Sequence, residues 1–160
     1  MTLFIKQEMI DQLVGLHERY SDQAVRCAQA GVHEAAFVMM ASAVETMLFS
    51  TITMSEHVLR DSDLWPEKHP FDWTLGTMIG IATRAGWFED HGIPGADLGA
   101  AVEGVNLVRV GVLHPAAYIR DGGLPLSERQ LAAAFAVLLA VDDALGHVVS
   151  ELPPPSEPQS

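Results

Sequence analysis

The chain is 160 residues long, 49% hydrophobic, and carries 9 Lys+Arg against 21 Asp+Glu, a formal net charge of -12. That length gives one domain with a real core, and the acid excess, with no basic run of five or more residues, excludes a broad electrostatic surface for nucleic acid. Cys27 is the only cysteine, which excludes an internal disulfide framework and a cysteine zinc site.

Five helices and no strand are predicted. The first runs from about residue 3 to 30, where Ile10, Leu13, Leu16, Tyr20, Ala24 and Cys27 recur at three- and four-residue steps and Gly31 is a natural terminator. The second runs from about residue 32 past 54, to about 59, with Phe37, Met40, Ala43, Val44, Met47 and Leu48 as its apolar stripe. Glu45 is the only charge between residues 35 and 54, so this helix is expected to be central, covered on both sides by the fold or by a second subunit. Residues 61–72 (DSDLWPEKHPFD) form a connector. A third helix follows over about 73–85, stopped by Gly86, and residues 89–95 read as a loop.

The fourth helix is expected to start near Pro94, which suits a first turn, and to run to about Leu113. The residue before a proline avoids the helical region, so His114 sits at or just past its end. The fifth helix has the clearest start, a capping box of Ser127 and Gln130 with a staple of Leu126 and Leu131, and runs to about Leu152. The expected fold is all-α, an up-and-down bundle of about five helices over residues 1–152, with a disordered proline-rich tail at 153–160.

Two apolar stretches raise the question of a membrane. Residues 131–141 are far shorter than the roughly 20 residues a span needs, and residues 35–54 hold Ser42, Glu45, Thr46, Ser50, Thr51 and Thr53. Both read as buried helices. The opening MTLFIKQEM lacks a basic segment followed by an apolar one, so the expectation is a cytoplasmic protein with no signal peptide and no membrane.

Several chemistries have no sequence basis. There is no HExxH, and no glutamate is followed three residues on by histidine, as a di-iron bundle requires. Glu89, Asp90 and His91 read as an exposed polar loop rather than a closed metal site. Neither a metal nor another cofactor is expected. Six of the seven histidines (His17, His33, His57, His69, His91 and His147) read as surface or packing residues.

The exception is VRVGVLHPAAYIRDGG, residues 108–123, where Arg109 and His114 punctuate an apolar run. Five helical steps rotate about 140 degrees, so the two side chains converge only if the helix loosens at Gly111, if the arginine reaches round, or if a second subunit supplies one of them. A histidine at a helix C-terminus feels the negative end of the dipole, which favours its protonated form. An arginine is a permanent forked cation suited to phosphate. Together they have the parts for metal-free RNA cleavage, with the ring moving a proton and the guanidinium stabilising charge at phosphorus. A twofold dimer would bring two copies of His114 to one cleft. The bland alternative is that Arg109 bridges helices and His114 caps carbonyls.

Arg-x4-His at the end of a late helix resembles the HEPN superfamily (higher eukaryotes and prokaryotes nucleotide-binding). SAVETMLF at 42–49 is similar to the second-helix Ala-x-Glu-x-x-Leu pattern of bacterial HEPN-like proteins, and TLGTMIGIATRAGWF at 74–88 is similar to their third helix. NLVRVGVLHP at 106–115 resembles their segment ending in His-Pro. The resemblance, over roughly residues 32–120, implies a helical bundle that dimerises through its central helices. It also implies either a metal-independent endoribonuclease, often a toxin of a defence or toxin–antitoxin system, or a relative that has lost activity and binds a partner. Carried over, Arg109 and His114 match the catalytic pair and Glu45 the second-helix acid. Val110 stands where active members carry Asn, Asp or His, and Ala116 stands where antitoxin-modified members carry tyrosine, the nearest here being Tyr118.

Glu45 needs a partner if it is buried, because an unpaired buried carboxylate is costly. It either pairs with Arg109 or sits partly exposed at a helix edge. An enzyme requires a local positive cleft holding Arg109, His114 and Arg120, and RNA as its target. A silent binding module requires Arg109 in a salt bridge, and a protein or nucleotide as its partner.

Overall fold

The computed structural model describes residues 4–89, 97–120, 122 and 127–152, and the side chains of Pro115, Ala117 and Tyr118 are not part of that description. Its helices are α1 (Gln7–Gln29), α2 (His33–Met54), α3 (Glu56–Asp61), α4 (Leu75–Arg84), α5 (Leu98–Leu113), α6 (Pro115–Arg120) and α7 (Glu128–Glu151), with one 3-10 turn at Pro70–Asp72. No strand occurs among the described residues. The all-α bundle expected from sequence is therefore present, with two short helices added to the five long ones. The predicted first turn at Pro94, the Leu126 half of the staple, Asp90 and His91, and the tail at 153–160 lie outside the described residues.

The two additions have local causes. At Ser55 (φ -90, ψ 11) the N–H falls between the carbonyls of Thr51 and Ile52, so α2 stops and α3 begins as a separate turn rather than continuing to Leu59. After His114, Pro115 has no N–H to give to α5 but a φ preset for a first helical position, so it opens α6. The helix starts also move inward. α1 begins at Gln7 after an extended Lys6, and α5 begins at Leu98, where the Asp97 carboxylate accepts the Gly99 N–H at 2.9 Å.

The termini follow the expected chemistry. Gly31 takes φ 73, and the Val32 N–H returns to the Cys27 carbonyl at 2.9 Å, closing α1 with a left-handed glycine. Gly86 (φ 74) does the same for α4. The Ser127–Gln130 capping box is formed in both directions, at 2.8 and 3.2 Å.

α2 is the centre. It packs against α1, α7, α4, α5 and α3. Phe37, Met40, Val44, Leu48 and Ile52 on it are all essentially inaccessible, as are Ile79 and Ile81 of α4, Val102 of α5, and Leu138, Val141 and Leu145 of α7. The hydroxyls of Ser42, Thr46, Thr51 and Thr53 donate to carbonyls four residues back, at 3.0, 2.8, 2.7 and 2.7 Å. That internal satisfaction lets a helix with polar side chains run through an apolar core. α2 and α7 are each long and apolar enough to cross a membrane by length and composition. In this fold 56% of that apolar stretch of α2 is buried against its neighbours, but only 33% of the α7 stretch is, so residues 131–141 form a half-covered helix rather than the buried one expected.

α1 lies outermost. Of its predicted stripe only Ala24 is fully buried, and Ile10, Leu13, Leu16, Tyr20 and Cys27 are half-buried against α2. A polar tie joins it to α7: His17 Nε2 lies 2.6 Å from Asp142 Oδ1, with both side chains about three-quarters covered. The hydrogen bond to Asp142 raises the histidine above its ordinary value of 6.5, burial opposes this, and the charges of Asp142 and Glu18 add to the rise. Below pH 6.5 His17 is protonated both folded and unfolded, so the stabilisation is complete there. It is lost as pH climbs through the raised folded value. We therefore expect the urea midpoint of the wild type to fall with rising pH above 6.5 by an amount equivalent to about 1 kcal/mol. In His17→Gln that part of the pH dependence is absent. Identical pH profiles for the two proteins would remove the tie from the account.

Candidate functional site

Arg109 occupies the fourth turn of α5 and Glu45 the middle of α2. The spacing of apolar residues sets both. Leu98, Val102 and Val105 turn one side of α5 inward, and Arg109, four residues on from Val105, continues that side towards α2. Ala41, Val44 and Leu48 likewise turn α2 inward, leaving Glu45 beside the seam. Arg109 Nη2 donates to Glu45 Oε2 at 3.0 Å. The arginine side chain is 25% exposed and the glutamate 35%, so the pair lies at the edge of the core, partly screened. The pairing expected from sequence is present, and Glu45 is at the same time partly exposed, as the alternative had it.

His114 stands elsewhere. It is the C-cap of α5 (φ -130, ψ 60), its N–H donating to the Val110 carbonyl at 2.8 Å. Its side chain is exposed and makes no hydrogen bond or ion pair among the described residues. α5 runs unbroken through the buried Gly111 to Leu113, so the loosening at that glycine does not occur. Arg109 reaches α2 rather than the ring. The two members of the motif are thus separated around one helix, as the 140 degree step requires, and no contact joins them among the described residues. Arg120, the other cation of the segment, ends the short α6 and is exposed.

Beneath Arg109 a small cleft opens between α2, α4, α5 and α7. Its walls are Ala41, Val44, Leu75, Ile79, Val102, Val105 and Leu138, with Asn106 and Arg109 adding the polar groups. It encloses about 220 Å³ of empty space out to its open mouth, but the enclosed part has room for roughly one water. A drug-sized ligand needs several times more. Close approach of helices accounts for the tightness: a β-carbon on Gly76 would sit 3.4 Å from the Asn106 amide nitrogen. His114 does not line the cleft.

No group of three or more His, Cys, Asp or Glu is placed to hold a metal ion among the described residues. Two features of the packing were not read from the sequence. Asn106 sits in the quoted motif, but only packing puts it at the cleft. Glu56 is 3% exposed, yet bonded to Arg60 Nε at 2.9 Å. The i,i+4 spacing of that pair was a readable signal, while its burial was not. The chain matches no family model, no curated protein and no solved structure.

A double-mutant cycle on Glu45→Gln and Arg109→Met should return a coupling of about 0.5–1.5 kcal/mol in urea denaturation, smaller at 1 M salt than at 0.1 M. Strictly additive single mutants would mean the pair contributes nothing to holding α2 against α5.

Proposed function

We infer that this chain is a HEPN-like helical protein that acts as a symmetric dimer and binds a partner rather than cutting RNA. The carrying observation is the 3.0 Å Arg109–Glu45 ion pair: the guanidinium that cleavage needs for phosphate already has a carboxylate partner at the edge of the core. Two further arginine ion pairs among the described residues point the same way. Arg26 is held by Asp22 and Arg60 by Glu56, within a chain of net charge -12. This leaves little cationic surface for a polyanion.

The dimer reading rests on the outward side of α5. Glu103, Leu107, Val110 and His114 fall at four-, three- and four-residue steps, on one stripe, and all four are exposed. Leu107 is 68% exposed and Val110 44%, unusual for large apolar side chains on a helix otherwise packed into a core. The stripe is self-complementary. Antiparallel pairing of two copies sets Leu107 against Val110 of the partner subunit and Glu103 against His114 of the partner subunit. In that arrangement the two His114 rings stand about 16 Å apart, eleven residues at 1.5 Å each, so they do not share one cleft. We place the protein in the cytoplasm, with a protein or nucleotide partner.

A second reading is favoured by one observation. Arg109 and Glu45 both keep a solvent-facing side, so a phosphate can compete with the carboxylate for the guanidinium. On that reading the chain is a metal-independent endoribonuclease of a defence or toxin–antitoxin type, with Arg109 and His114 as its catalytic pair, Glu45 orienting Arg109, and Arg120 as a further phosphate contact.

One set of measurements separates the two. Purified wild type and His114→Ala are incubated with RNA in EDTA. The binding reading expects no cleavage by either. Metal-independent cleavage by the wild type that drops at least about 100-fold in His114→Ala establishes the enzyme instead. In parallel, Leu107→Asp should convert a dimer to a monomer in light scattering. A wild type that is monomeric at about 100 μM, a concentration at which a Kd of about 1 μM gives mostly dimer, would remove the dimer.

A further inference from the structure

The segment ahead of α1 sits in a prepared seat. The Phe4 ring meets Phe49 of α2 edge-on at 6.3 Å between centroids, Phe71 of the 3-10 turn at 5.3 Å, and His69 at 5.5 Å. Phe49 and Phe71 stand nearly parallel, 6.1 Å apart, and Phe49 leans on Trp73. The Phe4 backbone N–H donates to Glu56 Oε2 at 2.7 Å. The other oxygen of Glu56 accepts from Arg60, whose guanidinium lies 4.9 Å above the Trp65 ring. Trp65 in turn meets Trp73 edge-on.

This arrangement has the features of a receptor. A carboxylate 3% exposed is costly unless its oxygens are occupied. Arg60 occupies one, and the other faces the seat and requires an N–H. The walls are aromatic, which favours an edge-on ring. The rim is open: Phe71 is 67% exposed. The hold on the present occupant is short. Phe4 is three residues from the start of α1, so vacating the seat unravels no helix.

We propose that this seat is a docking site for an extended segment of a partner protein. The segment places an aromatic ring against Phe49 and Phe71, donates the N–H of that same residue to Glu56, and displaces Phe4. The chemistry of the occupant is read from the residue that fills the seat in the free chain. Basic neighbours suit it, as Lys6 neighbours Phe4, because the chain is strongly acidic. The site uses none of Arg109, His114 or the α5 stripe, so it stands or falls separately from the proposed function.

The probe is a synthetic peptide of residues 1–8, MTLFIKQE, titrated into full-length protein and followed by tryptophan emission, since Trp65 and Trp73 belong to the seat. In the wild type the tethered segment competes at an effective concentration of about 1 mM. Phe4→Ala should therefore bind the peptide at least about tenfold more tightly than the wild type. The same peptide with an N-methyl group on its phenylalanine, which removes the donated N–H, should bind Phe4→Ala about tenfold more weakly. If Phe4→Ala does not fold by circular dichroism, Phe4→Leu, which keeps an apolar side chain, carries the same titration. A folded variant that ignores millimolar peptide, or that binds the methylated peptide equally well, overturns the proposal. So does energy transfer on mixing wild-type chains labelled as donor and as acceptor at the N-terminus that is lost in Phe4→Ala, because a second copy would then be the occupant.

Discussion

The structure depends on a helix that meets other helices along most of its circumference. α2 is contacted by α1, α3, α4, α5 and α7, and one side of it is closed to water. Its hydroxyls solve their own hydrogen bonding by turning back onto the helix. Its one mid-helix carboxylate has no such option and must find a cation on a neighbour. Arg109 meets that need, and in doing so ties α5 to α2 at a defined register. The same contact gives the partly exposed guanidinium a carboxylate partner, which is the observation the proposed binding role rests on.

Polar ties recur at the other seams. His17 with Asp142 joins α1 to α7, and Glu56 joins the segment before α1 to α3 and, through Arg60, to Trp65. These contacts are individually modest beside burial of Phe37, Leu48 or Ile52, each of which contributes about 2–3 kcal/mol. Their effect is on specificity. An apolar stripe on a helix tolerates sliding by a turn, whereas a carboxylate held by one named donor does not.

Two of the exposed apolar features among the described residues bear on binding, and they differ in kind. The α5 stripe is a flat row of aliphatic side chains with an acid at one end and an imidazole at the other, a pattern that complements itself when reversed. The seat around Phe4 is concave, aromatic, and built on a buried acceptor, a pattern that complements an extended chain. Neither resembles a phosphate-binding surface, and the acidic balance of the whole chain agrees with that.

The helices themselves were legible in the sequence, because amphipathic spacing, Gly31, Gly86, the Ser127–Gln130 box and Pro115 are local signals acting over four or five residues. The expectation that Glu45 needs Arg109 was legible for a related reason: a lone charge in an apolar helix demands a partner wherever the helix lies. The tight seam beside Gly76, the burial of Glu56 and the tie from His17 to Asp142 were not legible. Each depends on residues far apart in the chain reaching the same point, His17 and Asp142 being 125 positions apart. The separation of Arg109 from His114 belongs to both levels. Helical geometry alone sets the two side chains apart by rotation, but only the packing of α5 on α2 decides which of them turns inward to a carboxylate and which is left facing water.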